Sequence, residues 1–389
     1  MKLTHWLMSG LFLLSGLILT PSMAAEKFYV APNGNDVWTG QLASPNRDQS
    51  DGPFATLERA RDAIRELKNR SGLPPGGVTV DLGGGVYERS QAFKLTADDS
   101  GEEARPIVYR ATPNAEVRIA GGKIVTEWKL VTDSAVLDRL DPIARGQVME
   151  ANLKKQGIAD FGQVASGGLE LFFQDQPAKL ARWPNEGFVK IRDITAEGPI
   201  VVHGRKGSKV GSFYYEGDRP LRWAEEKDLW LHGYWFWDWS DQYQQVATID
   251  PSQQLIHLAK PDHHYGYLPG ARFYALNALT ELDEPGEWQL NRQTGTLYYW
   301  PPASIEKGRP TVSVLNSLVV AQDVSHVKFQ GILFEAVRGT AVELVGGTGT
   351  QIVGCTIRNT GDQGVEIKDG CKNGVVGCDI YNTAGGGIV

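Results

Sequence analysis

Toward the carboxy terminus the apolar residues recur at a fixed interval of 23 positions. Val319, Val342, Val365 and Ile388 share one register, Phe334, Ile357 and Ile380 a second, and Gly331, Gly354 and Gly377 a third. Asn359 and Asn382, Thr360 and Thr383, and Cys355 and Cys378 keep the same offset. Within a unit apolar and polar residues alternate, as in Val342-Glu343-Leu344 and Val365-Glu366-Ile367. That is the period of a half-buried strand, and the 3.6 period of a helix is absent. A 23-residue unit of short strands with Gly and Asn at its bends is about one coil of a parallel β-solenoid, in which like positions stack at the ~4.8 Å strand spacing. The Val and Ile registers then predict aliphatic ladders inside the coil. Asn359 over Asn382 predicts an amide ladder at a bend, where Asn tolerates left-handed backbone. Cys355 over Cys378 reads as a small apolar stack of two free thiols in preference to a disulfide.

Nearer the amino terminus one stretch has helical spacing. Leu57, Ala60, Ile64 and Leu67 make a stripe from Leu57 to Lys68, with Thr56 as N-cap. An amphipathic helix is the element expected to cover the apolar end of a solenoid. Strands follow at residues 78–82, 93–95, 107–109 and 117–119, separated by Gly- and Pro-containing turns. From about Glu127 to Pro302 the periodicity disappears and aromatic residues take over, among them Trp183, Trp223, Trp230, Trp235, Trp237, Trp239, Trp288 and Trp300. The turn Asn291–Gly295 between Trp288 and Leu297 predicts a hairpin. The layout is therefore a signal peptide over 1–24, a cap and first coils over 25–126, an inserted β-rich domain over 127–302 and regular coils over 303–389.

Composition narrows this picture. Glycine supplies 45 of 389 residues, above the usual ~7 %, which favours turn-rich β structure. The net charge of −7 and the lack of any basic run exclude a phosphate-neutralising surface, so no nucleic-acid partner is expected. Lys2, the apolar run Leu7–Leu19 and the small residues Ser22-Met23-Ala24 form an export signal. An exported, periplasmic or extracellular protein follows, with no membrane association after cleavage, and a monomer is expected. All three cysteines lie in the last 35 residues and match neither a disulfide framework nor a zinc site.

Several stretches have a wider likeness. Phe28-Tyr29-Val30-Ala31-Pro32-Asn33-Gly34-Asn35-Asp36, followed by Gly52-Pro53-Phe54-Ala55-Thr56-Leu57, resembles the amino-terminal cap of right-handed parallel β-helix proteins of the pectate-lyase-like superfamily. Leu180–Phe188, Trp230–Trp239 and Glu281–Trp288 are similar to bacterial secreted β-helix proteins grouped with glycoside hydrolase family 141. The resemblance implies an all-β fold: a right-handed parallel β-helix with an amino-terminal capping helix and an inserted Trp-rich β domain. It implies action on a plant-type polysaccharide or its oligosaccharides, with fucosidase and xylanase activities in the group. Such proteins run on for further coils that carry their catalytic acids, whereas this sequence reaches Val389 inside a strand register. A fragment of a longer chain is therefore expected, and the resemblance assigns no catalytic residue here.

Candidate chemistry comes from the residues themselves. Glu343 and Glu366 occupy outward positions one coil apart, so two carboxylates stack on one face. Like charges that close push one pKa up, and a separation near ~5 Å suits a retaining glycosidase. Two solvated surface glutamates are the plainer account of the same pattern. Asp362, in the turn Thr360–Gly364, is a third acid or a turn former, and Arg338 in the preceding coil is a substrate-binding candidate. Trp235, Trp237 and Trp239 alternate, which places three indoles on one strand face for sugar stacking, or else in the core of the insert. The acidic run Glu281, Asp283, Glu284 and Glu287 reads as a polar hairpin connection, and the histidines as structural.

The leading expectation is thus an exported glycoside hydrolase that uses paired carboxylates and no cofactor. A β-helix polysaccharide lyase, which needs calcium and a basic residue, and a glycan-binding solenoid without catalysis are the alternatives.

Overall fold

The computed structural model describes residues 25–389, so the export-signal reading of 1–24 lies outside the described residues. Three parallel sheets wind around one apolar core. Each of the first two coils takes in β2 (Val78–Leu82), β3 (Gly85–Glu88) and β4 (Phe93–Leu95), or β5 (Ile107–Ala111) and β6 (Val117–Ala120), while β1 (Glu26–Val30) pairs in parallel with β2 at the edge. The later coils repeat the triplet at Val327–Gln330, Leu333–Val337 and Val342–Val345, then at Gln351–Val353, Thr356–Thr360 and Val365–Lys368. In every pairing of these regular coils the partners are 23 apart: Lys328 with Gln351, Leu333 with Thr356, Val342 with Val365.

Identical spacing stacks identical side chains. Val319, Val342 and Val365 are fully buried in one ladder and Phe334 and Ile357 in another, each side chain contributing about 1.5–3 kcal/mol of transfer free energy. The expected asparagine ladder exists: Asn382 Nδ2 donates to Asn359 Oδ1 at 3.2 Å. Asn359 and Asn382 have φ of 57° and 52°, and Ala336 one coil earlier has 59°, so a left-handed residue bends the second sheet at the same place in each coil. The cysteines are free, and the Cys355 N–H points at Cys378 Sγ, 3.3 Å away.

The helix α1 (Leu57–Ser71) extends one residue triplet beyond its predicted end. Thr56 caps it by accepting from the Arg59 N–H, and Asp36 in turn fixes Thr56 by accepting from its hydroxyl and N–H. Leu57, Ala60, Ala63 and Ile64 face the solenoid core, with Leu67 packed at its edge.

The second coil is interrupted. After β6 the chain leaves the solenoid, and it returns only at Val319–Gln322, which pairs with β4 as the third strand of that coil. The excursion is longer than the loss of periodicity implies. Its exit and return segments, β7 (Gly122–Ile124) and Thr311–Ser313, are antiparallel partners. Within the excursion a five-stranded sheet contains the predicted hairpin of Glu287–Asn291 with Thr296–Tyr299. A larger sheet is built around Trp230–Tyr234, Gln242–Asp250 and Arg272–Leu276. The insert has its own apolar clusters, separate from the solenoid core. No helix among the described residues is long and apolar enough to cross a membrane.

Candidate functional site

The insert is bolted to the solenoid by charge. Glu335, 5 % exposed on the second sheet, accepts from Arg118 Nε at 2.8 Å and Arg358 Nε at 2.9 Å. Both guanidiniums also reach Asp175 of the insert, at 2.6 and 2.9 Å, and Asn359 Nδ2 donates to the Asp175 carbonyl. Two cations and two carboxylates in mutual contact satisfy one another, which is what a largely desolvated ion cluster requires. Burial works to lower the Arg358 pKa, and the bonds to Tyr381 and Glu335 outweigh it and raise it.

Docking in this way leaves a cavity of about 450 Å³ between the two parts. Its solenoid side is the bend carrying Arg338, Gly361 and Ala384, and its insert side includes Glu170, Tyr243, Leu276, Trp288 and Arg292. Gly361 is needed there, because a Cβ at that position would lie 2.1 Å from the Arg338 carbonyl oxygen. Glu170 is the chemically distinctive group. Burial alone pushes its carboxyl up to about 7, because desolvation disfavours the charged form and no neighbouring cation offsets it. Its backbone is held by Ser313, whose N–H donates to the Glu170 carbonyl at 3.0 Å and whose hydroxyl accepts the Glu170 N–H at 3.0 Å. The carboxyl itself has no hydrogen-bond partner among the described residues. A half-buried acid at the wall of a cavity, protonated near neutral pH, is equipped to give a proton to a bound molecule.

Of the residues singled out in the sequence, Arg338 and the Asp362 turn come to this cavity. Arg338 lines it but is committed: it is 4 % exposed, pairs with Asp160 at 3.0 Å and donates through Nε to the Ser313 carbonyl at 3.2 Å. The Gly162 N–H and then Arg338 hold Asp160 below the usual carboxylate range. Asp362 follows Gly361 directly, is exposed, and accepts from Gln363 Nε2 at 3.1 Å.

Glu343 and Glu366 are register partners in the third sheet, as expected from the repeat. Neither lines the cavity. Each has its own companion, the Ser317 hydroxyl for Glu343 and Lys368 at 2.8 Å for Glu366.

The tryptophan alternation does not make a face, and that expectation is corrected. The strand ends at Tyr234, and residues 236–239 form a bend and a turn, so the two-residue period has no sheet to act on. Trp235 is fully buried between Phe213, Phe273 and Tyr267, with Nε1 donating to the Gln242 carbonyl at 2.8 Å. Trp237 lies half-buried under Arg205, and Trp239 is 68 % exposed against Tyr265. The acidic run is not a solvated connection either. Glu281 is fully buried and accepts from Arg219 Nε and Trp223 Nε1, while Asn185 donates to Asp283 at 2.8 Å. The stretches Leu180–Phe188 and Glu281–Trp288 thus meet at the Asn185–Asp283 bond, beside the pair of Arg219 with buried Glu281. Burial pushes Glu287, which accepts the Asp283 and Glu284 N–H groups, up to about 7.

Sequence reasoning missed Glu170 because nothing around it repeats. The only signal is a lone acid between apolar Leu169 and Leu171-Phe172-Phe173. No group of three or more His, Cys, Asp or Glu side chains among the described residues is arranged to hold a metal ion.

Comparison with known proteins agrees with the architecture. The family description "Right handed beta helix region" matches residues 311–389, the return segment of the excursion and the uninterrupted coils. A solved structure titled "Glycoside hydrolase" superposes with a TM-score of 0.70 at 18 % identity, over 91 % of this chain and 65 % of that one. The chain therefore spans just under two thirds of that protein's length. A second, titled "The complex structure of XylC with xylose", gives a TM-score of 0.47 at 11 % identity, over 92 % of this chain and 54 % of that one. No curated protein matches the sequence. The chain is a right-handed parallel β-helix with a large β-rich excursion in its second coil.

Proposed function

We propose that this protein is an exported glycoside hydrolase acting on a plant-type polysaccharide or its oligosaccharides, with the cavity between insert and solenoid as its active site. The observation that carries this reading is the Glu170 carboxyl, raised to about 7 by burial and facing a cavity of about 450 Å³ walled by Tyr243, Trp288 and two arginines. Glycosidic bonds break when an acid protonates the leaving oxygen while a second carboxylate activates water or attacks the sugar. Glu170 takes the first role. Its proton goes to the departing sugar hydroxyl, and water supplies the hydroxyl on the other product. The second role is given to Asp362, an exposed carboxylate that does not itself line the cavity but follows Gly361, which does. Half-buried Tyr243 offers an aromatic contact to a sugar ring at the cavity wall.

The test is release of reducing ends from plant polysaccharides by the wild type and by Glu170→Gln. Activity lost in E170Q supports the reading. Undiminished hydrolysis in E170Q removes Glu170 from it, and a product absorbing in the ultraviolet replaces hydrolysis with elimination.

A further inference from the structure

The cavity opens along one face of the larger insert sheet. In that sheet Leu231, Phe273 and Ala275 point into the insert core. The residues between them, His232, Tyr234, Tyr274 and Leu276, point the other way, and Leu276 lines the cavity. Tyr243 stands opposite His232 on the neighbouring strand, with ring centroids 4.5 Å apart. From Leu276 to Arg272 this face therefore runs outward for about 14 Å at the usual strand rise.

The face is aromatic but not sealed. Tyr234, Tyr243 and Tyr274 are each half-buried, and Phe188 is exposed at the outer end. Two guanidiniums cover part of it: the Arg182 guanidinium carbon is 3.7 Å from the Tyr274 ring centre, and that of Arg272 is 4.2 Å from that of Tyr234. Arg182 is tied through Nε and one Nη to the carbonyls of Pro184 and Gly187, at 2.8 and 2.7 Å. Its other Nη has no partner, and no carboxylate among the described residues lies within salt-bridge reach. Asp241, bonded to His232 at 2.7 Å, and Asp238, 3.7 Å from Arg272, add acceptors at the rim. Partly exposed aromatic rings and the guanidiniums over them, spaced along a strip with donors and acceptors at its rim, suit consecutive sugar rings and their hydroxyls.

We infer that this face is a platform for the further units of a glycan whose reactive unit occupies the cavity, so that the protein takes a chain in preference to a single sugar. The inference rests on the cavity being the active site. Continuity from Leu276 into the cavity argues for the same ligand along both.

The experiment is read as binding, so it does not depend on turnover. Immobilised plant, algal and bacterial polysaccharides are screened with the protein, and the polysaccharide retained best is cut into fragments of defined length from one to six units. Calorimetry on these should show affinity that rises with length over the first few units. Tyr274→Ala should lower the affinity of the long fragments by roughly 2- to 10-fold, the worth of one aromatic stacking contact, and flatten the length dependence. Tyr234→Ala should act only on longer fragments than Tyr274→Ala does. Tyr274→Phe, which keeps the ring, should retain most of the affinity and exposes any loss that comes from misfolding. Affinity independent of length, a loss in Y274A equal for one unit and for six, or retention of no polysaccharide overturns the platform. Length-dependent binding without any release of sugar keeps the platform and overturns hydrolysis.

Discussion

The outward face of the third sheet and the cavity beneath the insert both present glutamates, in opposite physical settings. Glu343 and Glu366 sit one above the other on a regular sheet, one bonded to a hydroxyl and the other to an exposed lysine. Glu170 has no such partner and is surrounded by packed side chains, and its carboxyl is raised to about 7. Desolvation without a hydrogen-bond partner or counter-charge is what raises the Glu170 carboxyl.

The largest effect that tests this contrast is on catalysis. Glu170→Gln should lower turnover by about 10²- to 10⁴-fold, the range for loss of a general acid. Glu343→Gln and Glu366→Gln should leave it within a factor of about 3, under 1 kcal/mol. The reverse ranking in a reducing-end assay would move the site to the third sheet.

Next in size is a packing effect. Phe334→Ala, at a fully buried ladder position, should cost about 3–5 kcal/mol in denaturant unfolding. If the solenoid core alone is affected, the insert, with its own clusters, should retain its tryptophan fluorescence until a separate transition. A single shared transition would show that the charge bolt couples the two.

A smaller cost is expected at the bend. Asn359→Ala removes the amide bonds to Asp175 and Asn382 and leaves alanine at φ of 57°, for about 1–3 kcal/mol in the same unfolding measurement. Asn359→Gly, which relieves the backbone but not the lost bonds, should cost less.

The last effect is a pH dependence with a defined sign. Glu170 and Glu287 have folded-state values near 7, above the ordinary 4.5 of an unfolded chain. The unfolded state therefore ionises first as pH rises. Their contribution to stability is intact below about 4.5 and declines until the pH passes about 7. Glu170→Gln should lessen that decline, so E170Q gains melting temperature relative to wild type at pH 8 and not at pH 4. A variant equally destabilised at both would assign Glu170 a structural role.

The solenoid was legible to the level of individual ladders. The 23-residue offset named Val342 over Val365 and Asn359 over Asn382, and both pairs stand in register. Periodic stacking makes this possible, since a side chain's neighbour in space is its counterpart in sequence. The capping helix was legible for a similar reason, its stripe and its Thr56 cap being local. The Trp235, Trp237 and Trp239 alternation misled because a two-residue period means a face only inside a strand, and the strand ends at Tyr234. The true aromatic face, His232 and Tyr234 with Tyr243 and Tyr274, is spread over three strands, and no window of sequence shows it.

By itself, then, the sequence determined the winding of the coil and the residues that fill it. These depend on repetition and on contacts close along the chain. Only the tertiary structure decided where the excursion comes to rest, which acid it takes out of water and which side chains share a wall with it. Glu170 and Gly361 are 191 residues apart (361 − 170) and line one cavity, brought there by packing and by the Arg118, Asp175, Glu335 and Arg358 cluster that joins insert to coil.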